Sequence, residues 1–290
     1  MFISYLLSGI SLGAIYALIA LGYTMVYGIA KMLNFAHGDV IMVGGYIAFT
    51  ISVTLGADGW IALLGSIIFC TLLGITIERV AYKPLRGASK LSVLITAIGV
   101  SYLLQNVALL IFGSASRNFQ ALIVVPSVEI GSVTIPGNTI LTIGVSVVIM
   151  IVLTLFINKS SAGSAMLAVS EDKGAAQLMG VNVNKTISLT FAIGSGLAAV
   201  AGILMCTQYP NIGPYTGQMP GIKAFIAAVF GGIGSIPGAM LGGIAIGVIE
   251  NLSKAYISTQ LSDAITFAIL IIMLLVKPTG ILGKKLNEKV

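Results

Sequence analysis

Charge is what this sequence has least of. Asp, Glu, Lys and Arg make up 8% of its 290 residues, against 57% hydrophobic, whereas soluble domains carry roughly a quarter of charged residues. The bilayer is therefore its solvent. Histidine occurs once, at His37, and cysteine twice, at Cys70 and Cys206, both inside apolar runs. This suggests neither a disulfide framework nor a metal site, and the cysteines read as packing residues. One histidine gives no convincing Ser/His/Asp site, and the acids form no convincing carboxylate pair, so the chain reads as a non-enzyme. A GxxxxGK[ST] phosphate loop is also absent, so the chain has no means of hydrolysing ATP alone. The connections between apolar runs reach only about 30 residues, too short for a soluble catalytic domain.

What is present is long apolar sequence. Charge-free stretches at 1–30, 40–57, 59–77, 91–116, 130–158, 186–222 and 224–249 meet or approach the roughly 20 residues that carry a helix across the hydrocarbon core. They are continuous rather than alternating, which excludes a β-barrel. The expectation is an all-α polytopic membrane protein, one transmembrane domain over residues 1–290, with about eight spans. These fall at 3–28, 38–56, 60–78, 91–112, 138–157, 187–207, a pair near 222–234 and 239–254, and 261–277. Two places, Asn34–Gly38 and Gly231–Gly238, are glycine-broken and read as sites where a helix stops at mid-membrane. Residues 1–30 lack a preceding Lys or Arg and a small-residue cleavage pattern, so they read as a retained helix.

The basic residues alternate. Arg79, Lys83, Arg86 and Lys90 lie in one connection, Lys159, Lys173 and Lys185 in another, and Lys277, Lys284, Lys285 and Lys289 after the last run. Between them stand connections holding only Asp58, or Arg117 with Glu129. Short basic loops are retained on the cytoplasmic side, which predicts a cytoplasmic C-terminus. The net charge of +6 then describes cytoplasmic loops and not a nucleic-acid surface.

Glycine is abundant, at 35 residues, and recurs at helical contact spacing in Gly9/Gly13, Gly234/Gly238/Gly242 and Gly243/Gly247, with Ala198/Gly202 related. Lipid gives helices no hydrophobic reason to associate, and small-residue grooves substitute for it. Val128–Ile135 reads as a hairpin around Gly131-Ser132, stopped by Pro136.

Polar intramembrane residues mark function by default. Asn34-Phe35-Ala36-His37-Gly38-Asp39 is either a cap with a satisfied polar core or a pathway lining. His37 and Asp39 are two apart, so on a helix they face differently and form no relay pair. The 231–238 turn is either a packing hinge or a hairpin near the pathway. Glu250, Asp263 and Glu78 stand at span edges, Glu78 beside Arg79, and Lys254 one turn from Glu250 predicts an ion pair. Residues 160–186 read as two short helices, one ending near Ser170 and one over Glu171–Met179. Glu171 and Asp172 complement the dipole of the second, and Gly180 stops it.

Three segments carry a resemblance: Leu33-Asn34-Phe35-Ala36-His37-Gly38, Ala168 to Val181 ending in Met179-Gly180-Val181, and Lys223-Ala224-Phe225 through Gly231-Gly232-Ile233-Gly234-Ser235-Ile236-Pro237-Gly238-Ala239. Their order and spacing resemble the permeases of branched-chain amino acid ABC importers, specifically the shorter of the two paired permeases. The resemblance implies a multi-pass protein of the bacterial plasma (inner) membrane that carries no cofactor. Its implied partners are a homologous second permease, two cytoplasmic subunits that bind ATP and Mg, and an extracytoplasmic binding protein for leucine, isoleucine or valine. It implies that Glu171, Asp172, Gly180 and Val181, within about 160–186, dock on the ATPase. By the same analogy Asn34, Phe35, His37, Gly38, Gly231, Gly232, Gly234 and Ser235 line or gate the pathway. Urea and amide importers have related permeases, and the acidic residues leave an ion-coupled secondary transporter as a rival reading.

Overall fold

A computed structural model describes residues 2–131 and 133–283. Lys284, Lys285, Lys289 and Ser132, used above, lie outside the described residues. In chain order the elements are α1 (Phe2–Ala30), α2 (His37–Phe49), α3 (Gly59–Ile77), α4 (Lys90–Phe112), β1 (Arg117–Asn118), β2 (Val128–Ile130) and β3 (Val133–Ile135). There follow α5 (Gly137–Lys159), α6 (Ser161–Glu171), α7 (Lys173–Leu178), α8 (Val183–Gln208), β4 (Asn211–Ile212), α9 (Gln218–Gly231), α10 (Ile236–Tyr256) and α11 (Ser262–Val276). The chain is a polytopic all-α membrane protein. A π-helical turn, Thr50–Thr54, extends α2, and helical turns over Glu78–Leu85 extend α3.

Among the described residues six helices are long and apolar enough to cross a membrane: α1, extended α3, α4, α5, α8 and α10. The expected count of eight is not confirmed by length and composition. The segments expected at 38–56, 222–234 and 261–277 do form helices, but α2, α9 and α11 have 13, 14 and 15 residues. At 1.5 Å per residue, α9 covers about 21 Å of a roughly 30 Å core.

Helix α8 is the axis of the fold, with 78% of its apolar window buried, whereas α4 has 17% and lies at the periphery. Helices α1 and α10 run antiparallel through the expected glycine grooves. A Cβ on Gly13 would stand 2.7 Å from Ile244 Cα, and one on Gly9 would stand 3.0 Å from Val248 Cα. Gly247 returns the contact against the Gly13 backbone, and Gly243 lies on Ala17. On the other side of the core, Gly202 of α8 packs against the Ile41 carbonyl of α2. Backbone approach replaces side-chain interdigitation here, which gains dispersion energy where lipid offers no hydrophobic drive.

The basic connections converge at one end. Lys173 Nζ donates to the Ala30 carbonyl at 2.9 Å, and Arg86 binds Asn184 and Glu78. Beyond Lys277, Ile281 N and Leu282 N donate to the Phe230 and Gly231 carbonyls, each at 2.9 Å. The C-terminus of α1 thus shares an end with Lys277. Helices starting here have side-chain caps: Ser89 on α4, Ser160 on α6, Asp172 on α7, Asn182 on α8 and Ser235 on α10. Each supplies an acceptor to an otherwise orphaned N–H. At the opposite end β2 and β3 pair antiparallel with Val128 opposite Ile135, as the Gly-Ser turn predicts, and β1 pairs with β4.

Candidate functional site

The first broken segment leads back into the protein. His37 is buried with its ring against Gly22, eight residues before the end of α1 and so about 12 Å inside it. Its ring meets Tyr23 edge-on at 4.8 Å between centroids. Asn34 is buried, and its Oδ1 accepts from the Tyr82 hydroxyl at 2.9 Å. Phe35 packs on Phe225 at 5.5 Å, and Phe225 on Tyr23 at 5.8 Å. Helix α2 begins at His37, one residue before the expected break at Gly38. His37 N donates to the Asn34 carbonyl and Asp39 N to the Ala36 carbonyl, and Gly38 N faces the Tyr23 hydroxyl, so these groups do not point free into the membrane. Asp39 faces another way, accepting from Gln105 Nε2 at 2.9 Å, so the two titratable residues do not form a pair.

Gly38 is where two interrupted helices meet. A Cβ there would lie 2.7 Å from the Gly217 carbonyl oxygen, and one on Gly221 would lie 2.7 Å from Gly38 Cα. The N-termini of α2 and α9 therefore abut inside the protein, and from that junction α9 descends to the basic end. Gly231, Gly232, Gly234 and Ser235 sit at that end, which corrects the mid-membrane stop expected for 231–238. The real interruption is at Gly217, where α9 starts. Ser235 caps α10 through Gly238 N at 3.2 Å, Gly231 packs against the Gly238 carbonyl, and Gly232 takes φ +106°. Of the predicted pathway residues only Asn34 lines the narrow cleft between them, formed with Tyr23, Tyr27, Leu33, Phe225 and Ile233 and without room for a water molecule.

Sequence reading missed the most charged constellation. Lys223 Nζ of α9 lies 2.8 Å from Glu250 Oε1 of α10 and 2.6 Å from Asp263 Oδ1 of α11. Glu250 Oε1 also holds Lys254 Nζ at 2.6 Å, the expected pair, and Oε2 accepts from the Tyr16 hydroxyl of α1 at 2.8 Å. Glu250 is 1% exposed. The signal available was Lys223 itself, a lone cation between charge-free runs. Glu78 is likewise fully buried and pairs with Arg86, not with neighbouring Arg79. An i, i+8 contact follows the irregular turns after α3, where regular helical spacing no longer applies.

At the basic end, Asp172 N-caps α7, its Oδ1 accepting from Gly174 N at 2.7 Å and Ala175 N at 2.9 Å. Glu171 is the last residue of α6, so its expected place at the start of the second helix is corrected. Asp172, in extended backbone, separates the helices one residue later. Gly180, at φ +85°, stops α7, and Val181 N donates to the Ala176 carbonyl at 3.0 Å while its side chain packs on the core. Leu178 and Met179 are left 90% and 84% exposed. Beside them lies a groove of about 490 Å³ lined by Arg86, Lys173, Gln177, Asn182 and Asn184 among others. Burial, then the charges of Arg86 and Lys31, lowers the pKa of Lys173.

Comparison with known proteins places this architecture. The sequence model of the family described as the permease component of branched-chain amino acid transport systems matches residues 5–274. The high-affinity branched-chain amino acid transport system permease protein LivH of Salmonella typhimurium is 48% identical, over 100% of this chain and 98% of that protein. BraD of Pseudomonas aeruginosa, a permease protein of the same description, is 46% identical with the same coverage. The solved structure of PsaBC from Streptococcus pneumoniae in complex with Fab aligns over 96% of this chain and 91% of that one, with 18% identity and a TM-score of 0.46. With family model and full-length relatives agreeing, the chain belongs to the permease components of branched-chain amino acid transport systems.

Proposed function

We propose that this chain is one membrane-spanning half of an ATP-driven importer that carries leucine, isoleucine or valine across a bacterial plasma membrane. A second, homologous permease completes the pathway. An extracytoplasmic binding protein delivers the substrate, and two cytoplasmic subunits bind ATP with Mg and hydrolyse it. The basic end faces the cytoplasm by the retention of short basic loops, so α1 runs inward and Lys277 lies inside. The observation that carries the reading is the tip of α7. Two large apolar side chains, Leu178 and Met179, stand almost fully exposed on a capped and glycine-terminated turn. An apolar knob at the aqueous end of a membrane protein suits a soluble partner's groove.

In this reading Asp172 and Gly180 shape the knob, Val181 ties it to the core, and α6 with α7 transmits motion toward α1 through the Lys173 to Ala30 bond. The junction of Asn34, Phe35, His37 and Gly38 with α9 lies along the pathway, and the turn at Gly231, Gly232, Gly234 and Ser235 forms its inner closure. Partners must stabilise the two access states differently, since a ligand shifts an equilibrium only by its difference in affinity. The test is leucine uptake into proteoliposomes. The full assembly with internal ATP is expected to accumulate leucine, and the chain alone under a proton or sodium gradient is expected not to. Uptake by the chain alone would overturn the reading in favour of an ion-coupled transporter, and urea uptake without leucine uptake would reassign the cargo.

A further inference from the structure

We propose that Lys223 and Asp263 hold the zwitterionic head group of the transported amino acid: its carboxylate replaces Asp263 on Lys223 Nζ, and its ammonium takes the released Asp263 carboxylate. This rests on the amino acid reading above and says where the substrate's two charges go when it leaves water.

The two acids around Lys223 are not equivalent. Glu250 is 1% exposed and is held at once by Lys223, Lys254 and the Tyr16 hydroxyl. It is the fixed member, locked between α1, α9 and α10. The Asp263 side chain is 44% exposed, sits in the first turn of α11 at the end opposite the basic loops, and pairs with Lys223 from a separate helix. It is the member that can let go. Lys223 itself is buried, so its ammonium needs a carboxylate at all times.

The balance of charge selects the ligand. Lys223 and Lys254 supply two positive charges, and Glu250 and Asp263 two negative ones, so the closed network is neutral. A zwitterion entering between Lys223 and Asp263 exchanges one ion pair for two and strands nothing. A simple anion would leave Asp263 without its partner, and a simple cation would leave Lys223 with Glu250 alone, a carboxylate it already shares with Lys254. Either one adds an unbalanced charge beside the buried Lys223 and Glu250, which burial penalises, so the site discriminates by net neutrality with opposed poles, the common feature of α-amino acid head groups. The branched side chain need not be read here.

The experiment is saturation-transfer NMR on the full chain in lipid nanodiscs, with leucine, leucinamide as the cation and 4-methylpentanoate as the anion. Leucine is expected to give transfer to its α-proton with at least about tenfold preference over both analogues, and Asp263→Asn to abolish that preference, as loss of a charge-assisted contact requires. Lys159→Ala, which removes a charge outside this network, is expected to retain it. Equal transfer from all three compounds, or native leucine binding by Asp263→Asn, would make the network a structural staple and overturn the proposal. Should Asp263→Asn fail to fold, Asp263→Glu keeps the carboxylate, and its binding of leucine without charge preference would overturn the proposal equally. In the intact assembly the two claims separate. If the native chain supports leucine uptake and Asp263→Asn does so at the native KM, the head-group site is wrong and the importer reading stands; if the native assembly takes up no leucine, the importer reading itself fails.

Discussion

Lys223 Nζ and Glu250 Oε1 are 2.8 Å apart on two helices joined by a turn at the far end of the molecule. Neither side chain has meaningful access to water. Removing one partner strands the other, a loss of roughly 3–5 kcal/mol for a buried pair. Lys223→Met is expected to reach the lower part of that range, because Lys254 and Tyr16 still serve Glu250. Lys254→Ala is expected to cost about 1 kcal/mol or less, since its side chain is one-third exposed and exposed pairs are weak. Thermal unfolding of the purified chain in detergent ranks the two; equal losses would contradict the assignment of Lys223 as the central cation.

The glycines divide into those that touch and those that do not. Gly13→Leu and Gly247→Leu are expected to destabilise by at least about 1–3 kcal/mol through overpacking of α1 against α10. Gly99 and Gly144 stand inside α4 and α5 with nothing within 4 Å of an added Cβ. Their replacement by Ala is expected to stabilise by about 0.5–1 kcal/mol, since Ala restricts the unfolded chain and favours helix. Denaturation midpoints of the four variants check the division, and a destabilising Gly99→Ala would show that the face of α4 is not free.

Leu178 and Met179 separate coupling from folding. Leu178→Asp with Met179→Asp is expected to leave stability within about 0.5 kcal/mol, as exposed substitutions do, while abolishing co-purification with the ATPase subunits and leucine uptake. Retained co-purification and uptake would remove the knob from the coupling surface.

Asp172 and Glu171 are adjacent acids with different work. Asp172→Ala removes the cap of α7 and is expected to cost about 1 kcal/mol locally, visible as faster hydrogen exchange at Gly174 and Ala175. Glu171→Ala is expected to leave exchange there unchanged, because Glu171 ends α6 and caps nothing in α7. Identical effects from the two would contradict the capping geometry.

Much of this protein was legible from the chain alone. A scarcity of charge and the run lengths dictated helices in lipid, because unpaired backbone groups have no other solution there. The spacing of Gly9/Gly13 and Gly243/Gly247 announced close-packed helices, and the Gly-Ser turn announced the hairpin. Asp172, Gly180 and the pair of Glu250 with Lys254 were readable too, since caps, stops and one-turn pairs are local. The joint order of three motifs identified the family.

Other features required the three-dimensional arrangement. Whether α9 crosses or begins at Gly217 depends on Gly38 pressing its backbone there, a contact between residues far apart in sequence. The partner of Glu78 depended on irregular turns that bring Arg86 back, and that of Lys223 on where α10 and α11 return. Local composition sets which segments are helical and which are short of a full span. Only packing decides which helices meet, and therefore which buried charges find each other, because hydrogen bonds and ion pairs reach across space while the periodicities of sequence reach along the chain.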